Sequence, residues 1–98
     1  MNEHMKQVLN EMCRYVGTSY ADIEPLMTED ERGKTHWPYM KYSWSSAAEA
    51  AFRGWLMEYL RDKGAWRALA KGGTRNNKRN RELFAKSFVF MYGWRTEK

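Results

Sequence analysis

The sequence contains few of the residues that small proteins use for cross-links, metal sites or catalysis. One cysteine and two histidines occur among its 98 residues. A lone cysteine excludes an internal disulfide framework and is typical of a reducing compartment. The histidines, His4 and His36, belong to no metalloprotease motif, and the chain has neither a phosphate-binding loop nor a glycine-rich dinucleotide motif. We therefore predict a protein that is not an enzyme and that has no cofactor and no metal site.

Long apolar runs are also missing. The longest one, residues 88–92, is far too short to span a bilayer. Asn2, Glu3 and Lys6 interrupt the N-terminal segment, which therefore lacks the apolar core of a secretory signal. These features predict a cytoplasmic protein that makes no contact with membranes.

Helical periodicity dominates what the sequence does contain. Hydrophobic residues make up 43% of the chain, which is enough to fold one domain of this length. Apolar residues repeat at helical spacing over residues 2–16, 47–62 and the later part of 75–92, whose first two turns are polar all round, and a glycine follows each stretch. We predict an all-α single domain, residues 1–98, with four to five helices. In the first helix the apolar stripe comprises Met5, Val8, Leu9, Met12 and Val16.

The central helix, residues 47–62, is predicted to be the buried element of the fold. Ser46 and Glu49 have the spacing of a capping box, and Gly64 is placed to end the helix. Gly54 predicts the close approach of another helix, because glycine costs a helix interior up to ~1 kcal/mol relative to alanine. One continuous buried face is expected from Ala48, Ala51, Phe52, Trp55, Leu56, Tyr59 and Leu60.

Weaker signals occupy the segment between the first and central helices. Ser19 predicts the cap of a short helix, which Pro25 prevents from extending far. Thr28 and Glu31 have capping-box spacing and predict one further helical turn. The aromatic residues of 37–44 predict a short extended segment. Their rings either close the core as a lid, which is the commoner use, or form a platform for stacking nucleobases.

Charges are divided unevenly along the chain. Residues 1–60 contain six Lys or Arg against nine Asp or Glu, whereas residues 61–98 contain eleven against three. A one-sided excess within one domain favours a basic working surface over charges that only aid solubility.

The strongest functional signal is the polar stretch 74–81, in which four residues are basic and three are asparagine. We predict that the last helix begins near Arg75, which places four cations in opening turns where the helix dipole favours acidic residues. Bound phosphates would offset this conflict, because the side chains and the free N–H groups all favour an anion. The predicted nucleic-acid-binding residues are Arg67, Lys71, Arg75, Asn76, Lys78, Arg79, Arg81 and Lys86.

Helical numbering separates two sides of this last helix. The expected solvent side contains Arg75, Lys78, Arg79, Glu82 and Lys86, and the expected buried side contains Leu83, Phe84, Ser87, Phe88 and Met91.

Two likenesses bear on the partner. Residues 74–83 resemble the arginine-rich helices by which phage antitermination peptides grip RNA hairpins. A short helix, a glycine turn and a basic helix also permit the helix-turn-helix layout of DNA-binding proteins. We therefore predict a small basic helical protein that binds DNA or RNA.

The alternative is a protein–protein interaction module, such as a phage or mobile-element accessory protein that inhibits a host protein or nucleoprotein complex. Its basis is composition, because Trp, Tyr, Met and Arg are enriched at interfaces. A homodimer is compatible with either interpretation.

Overall fold

Helices account for nearly all of the regular structure. In the computed structural model the described residues are 2–26, 28–29, 35–36, 45–70 and 73–92, and they confirm the all-α fold class with five α-helices. The elements are α1 (Glu3–Val16), α2 (Tyr20–Ile23), a 3₁₀ turn (Glu24–Leu26), β1 (Thr28–Glu29), β2 (Thr35–His36), α3 (Ser46–Tyr59), α4 (Lys63–Leu69) and α5 (Lys78–Tyr92).

The first helix, α1, has the bounds that its sequence signals predict. Asn2 caps its start, with Oδ1 accepting a hydrogen bond from the backbone N–H of Met5 at 2.7 Å. Gly17 ends it in the left-handed conformation, with φ of 91°, which other residues rarely adopt. The predicted apolar stripe is confirmed, since Val8, Leu9 and Met12 are buried and Met5 and Val16 are partly buried.

The segment after α1 confirms one prediction and overturns another. Ser19 caps α2, with Oγ accepting a hydrogen bond from the backbone N–H of Asp22 at 3.3 Å. The predicted helical turn from Thr28 is wrong, because β1 pairs antiparallel with β2 and Thr28 lies opposite His36. A β-branched residue suits extended backbone, and this pairing satisfies backbone groups that a helical turn would otherwise have used. The predicted extended aromatic segment, 37–44, lies outside the described residues.

Both ends of the central helix differ from the prediction. Ser45 rather than Ser46 caps α3, with Oγ accepting a backbone N–H at 3.0 Å. The helix ends at Tyr59, and Gly64 lies in the first turn of α4 instead of stopping α3. Asp62 decides this boundary, because its carboxylate accepts a backbone N–H of α4 at 2.9 Å and so begins a new helix.

The buried face of α3 is narrower than predicted. Ala51 is exposed, while Trp55 and Tyr59 are half-buried and stack on each other with ring centroids 5.0 Å apart. The fully buried residues of this face are Phe52 and Leu56 in the helix and Leu60 at its C-cap. They face α1 and α5, against both of which α3 packs.

Gly54 does not mark a helix–helix contact, contrary to the prediction. It is exposed, and a β-carbon placed there would meet no described atom within 4 Å. Nothing in the packing of α3 explains a glycine at this position.

The last helix begins later than predicted. Residue Lys78, not Arg75, opens α5, because Asn77 provides the cap: its Oδ1 accepts the backbone N–H of Asn80 at 2.9 Å. Arg75 and Asn76 therefore lie in the loop that precedes the helix.

A chain of aromatic rings joins four of the helices. Tyr15 of α1 lies 5.9 Å from Phe52 of α3, and Phe52 lies 6.2 Å from Phe88 of α5, measured between ring centroids. Phe88 lies 6.2 Å from Phe84, which in turn lies 6.1 Å from Trp66 of α4. Through these contacts the position of α4 depends on the central core.

The same contacts determine which face of α5 is buried. Phe84 and Phe88 point inward, and Ala85 and Val89 follow them into the core. The predicted burial of Leu83, Ser87 and Met91 is wrong, because all three are exposed, Leu83 at 52% and Met91 at 53%. The predicted arc extends from Phe84 and Phe88 toward Leu83, whereas the contacts with α3 and α4 place the buried face on the side of Ala85 and Val89.

Candidate nucleic-acid interface

The predicted site residues occupy three adjoining parts of the fold. One lies on α4, two lie in the loop before α5, and four lie on α5. Lys71 lies outside the described residues. The predicted solvent side of the last helix is confirmed, because Arg75, Lys78, Arg79, Glu82 and Lys86 are all exposed; Arg67 is exposed too, and Arg81 and Asn76 are half-buried.

Asn76 fastens the loop to the end of α3. Its Nδ2 donates to the carbonyl oxygen of Leu60 at 3.2 Å, and its Oδ1 accepts from the guanidinium of Arg81 at 2.8 Å. Leu60 is the C-cap of α3, so this bond satisfies a carbonyl that the helix itself leaves without a partner. Asn76 and Arg81 thus have structural roles, and their contact with nucleic acid stays a prediction.

The other two asparagines shape the start of α5. Asn77 accepts the N–H of Asn80 through Oδ1 and the N–H of Arg81 through its carbonyl oxygen, both at 2.9 Å. The Nδ2 of Asn80 returns to the carbonyl oxygen of Arg75 at 2.7 Å. Folding therefore accounts for the side chains of all three asparagines of this stretch.

Trp66 holds the other side of the loop against α4. Its indole Nε1 donates to the carbonyl oxygen of Thr74 at 3.0 Å, and the ring is 8% exposed. Gly73 stands just before this contact with φ of 88°, a conformation that favours glycine. The chain can therefore turn back along α4 at this point.

A groove of about 330 Å³ lies between α4 and this loop. Sequence reasoning missed both the groove and Lys63, which lines it. The signal that was available is the spacing of Lys63 and Arg67, which places both on one side of a helix. The residues along the groove are Lys63, Trp66, Arg67 and Ala70 on the α4 side and Gly73, Thr74 and Asn76 on the loop side.

The cations around this groove have no carboxylate partner among the described residues. The two ion pairs formed within that part of the chain, Arg14 with Glu11 at 2.8 Å and Arg61 with Glu58 at 3.3 Å, both lie outside the groove and α5. The first turn of α5 has no acidic residue. Its cations therefore oppose the helix dipole, as the sequence predicts, although three of them rather than four lie in that turn.

The described ranges contain neither a metal-binding cluster nor a membrane-spanning helix. Within them no group of three or more His, Cys, Asp or Glu side chains is arranged to hold a metal ion. None of the described helices combines the length and the apolar character needed to cross a membrane.

Comparisons of the chain with protein-family models, with curated proteins and with solved structures found no match.

Proposed function

We propose that this protein is a non-enzymatic nucleic-acid-binding protein and that its basic surface contacts the phosphate backbone. The basic surface comprises Lys63, Arg67, Arg75, Lys78 and Arg79, with Lys86 extending it along α5. The observation that supports the proposal is that Lys63 and Arg67 line one groove, that the other cations of this surface lie on the adjoining loop and α5, and that none of them has a carboxylate partner among the described residues. Clustered Arg and Lys side chains of this kind bind phosphates and release the condensed counterions of nucleic acid.

The start of α5 adds to this support. Lys78 and Arg79 follow the cap of a helix whose dipole is positive at that end. A phosphate there would interact favourably with both side chains and with the dipole. Asn76 and Arg81 hold the loop in place, and the guanidinium nitrogens of Arg81 that Asn76 does not engage can reach the same anion.

A second candidate function, protein–protein interaction, is favoured by a separate observation. Leu83, Phe90 and Met91 of α5 are 52%, 74% and 53% exposed. Large exposed apolar side chains on one helix are a feature of protein interfaces. An accessory protein of phage or mobile-element type that inhibits a host complex would use such a surface.

Salt dependence of binding tests the first proposal. Four phosphate contacts, made by Arg75, Lys78, Arg79 and Arg81, predict a slope near −3 in a plot of log affinity against log salt, so a tenfold rise in salt should weaken binding on the order of a thousandfold. The double variant Arg75→Gln/Arg79→Gln should flatten this slope by about 1.4–1.8 units without lowering the melting temperature, since both side chains are exposed. Fluorescence anisotropy with labelled DNA and RNA oligonucleotides measures the slopes, and thermal denaturation measures the melting temperature.

The matched control is Lys6→Gln/Arg14→Gln, which removes the same charge from exposed positions on α1. If the control flattens the slope as much as the double variant does, binding reflects net charge alone and the basic surface is not the site. If the wild-type protein binds no oligonucleotide at low salt but binds a purified protein partner, the interaction module is the better account.

A further inference from the structure

We infer that the groove between α4 and the loop accepts one unstacked nucleotide, so that the partner is single-stranded where it crosses this groove. The inference rests on the proposed function and names the form of nucleic acid that the same site takes. Three properties of the groove support it: its volume, its mixed lining and the engagement of its polar groups.

The volume suits a small planar ligand. About 330 Å³ lies at the lower end of the range for small-molecule pockets, which is roughly 300–1,000 Å³. A duplex backbone is convex and would lie across the opening, leaving this volume empty. A single base that leaves its stack can enter it.

The lining has one apolar part and one charged part. Ala70 and Trp66 provide apolar surface inside the groove. Lys63 and Arg67 stand one helical turn apart on the α4 wall, and both are exposed. A base inside would contact the apolar part, while its own phosphate would remain outside near the two cations. The planar guanidinium of Arg67 can also stack on the base.

The uncharged polar side chains of Trp66 and Asn76 in the groove are already engaged in the fold. The indole N–H of Trp66 donates to Thr74, and the amide of Asn76 bonds to Leu60 and Arg81. Few groups therefore remain to read the edge of a base. We expect binding to tolerate any base, as it does where stacking and charge supply the affinity.

Single strands should consequently bind more tightly than duplexes. A duplex must unstack and unpair a base before the groove can accept it, at a cost of a few kcal/mol. At equal salt and equal length, we expect an unstructured single strand to bind at least about tenfold more tightly than the corresponding duplex.

Ala70→Leu tests the inference because it fills the groove without changing any charge. Affinity for an oligouridylate of about eight nucleotides should fall about tenfold or more, whereas affinity for a duplex and the salt slope should not change. Ala68→Leu is the matched control on the same helix, since Ala68 is exposed and does not line the groove. If Ala70→Leu fails to fold, Thr74→Leu fills the groove from its other wall.

The outcomes separate this inference from the function on which it rests. Unchanged single-strand binding by the groove-filling variant, or equal binding of duplex and single strand by the wild type, overturns the inference. A steep salt slope that depends on Arg75 and Arg79 would leave the proposed function standing in both cases. Absence of all nucleic-acid binding at low salt overturns both together.

Discussion

The first turns of α1 and α5 begin with the same capping bond. Asn2 accepts the N–H of Met5 at 2.7 Å, and Asn77 accepts the N–H of Asn80 at 2.9 Å. Each bond satisfies one of the backbone donors that a helix leaves free at its start. The two helix starts are therefore stabilised by the same local hydrogen bond.

Their charges differ in sign. Glu3 follows the cap of α1, where a carboxylate interacts favourably with the dipole, whereas Lys78 follows the cap of α5 and is joined by Arg79 and Arg81. Since the cap is already satisfied in both, helix formation does not require the cations of α5. Arg81 has its structural bond to Asn76, so the difference leaves Lys78 and Arg79 as the charges that the proposed partner would bind.

The largest effect is expected at Asn76, which has no counterpart before α1. Replacing Asn76 by Ala should lower the free energy of unfolding by about 1–3 kcal/mol, because Leu60 and Arg81 both lose a partner. Urea denaturation measures the change. The double variant Asn76→Ala/Arg81→Ala should lose less stability than the sum of the losses in the two single variants, because the two residues share one hydrogen bond. Strict additivity would show that they act independently.

The two caps should be equivalent in energy. Asn2→Ala and Asn77→Ala are each expected to cost about 1 kcal/mol of stability, because each removes one bond to a free backbone N–H. Thermal denaturation of the two variants beside wild type provides the comparison. A cost at one cap that is several times the other would break the equivalence of the two helix starts.

The smallest effects, of opposite sign, are expected from the first residue after each cap. Glu3→Gln should lower stability and Lys78→Gln should raise it, each by about 0.3–1 kcal/mol at low salt, with both effects shrinking in about 1 M salt. Chemical denaturation at the two salt concentrations checks the signs. Lys78→Gln should at the same time weaken oligonucleotide binding. If Lys78→Gln lowers stability as well as oligonucleotide binding, Lys78 stabilises the fold.

Local signals account for the parts of the fold that the sequence predicted well. The bounds of α1, the cap at Ser19 and the exposure of the cations on α5 all depend on neighbours within a few residues. Such patterns can be read from spacing alone.

Most errors arose where contacts between residues far apart in the sequence determine the structure. The start of α5 is the exception, because Asn77 caps it through a bond to Asn80, only three residues along the chain. The buried face of α5 depends on Trp66 and Phe52, which belong to other helices. The sequence pattern also placed Gly54 in a helix contact that does not exist in the described residues.

The candidate site shows the same division. The basic residues of the last helix were predicted from composition and the dipole. Lys63 and the groove were not, because the groove exists only where residues 73–76 fold back onto α4. The bond between Trp66 and Thr74 that holds this arrangement joins residues too far apart for a helical pattern and carries no sequence motif.

Cys13 allows the rate at which the core opens to be measured. It is the single thiol in the chain, it is fully buried, and burial raises the pKa of the thiol to about 12. Because the thiolate is the reactive form, a thiol reagent should modify the protein only during excursions that expose α1. The labelling rate then reports how often those excursions occur. A ligand that binds only the folded chain should slow labelling by the factor 1 + [L]/Kd, without any dye on either molecule.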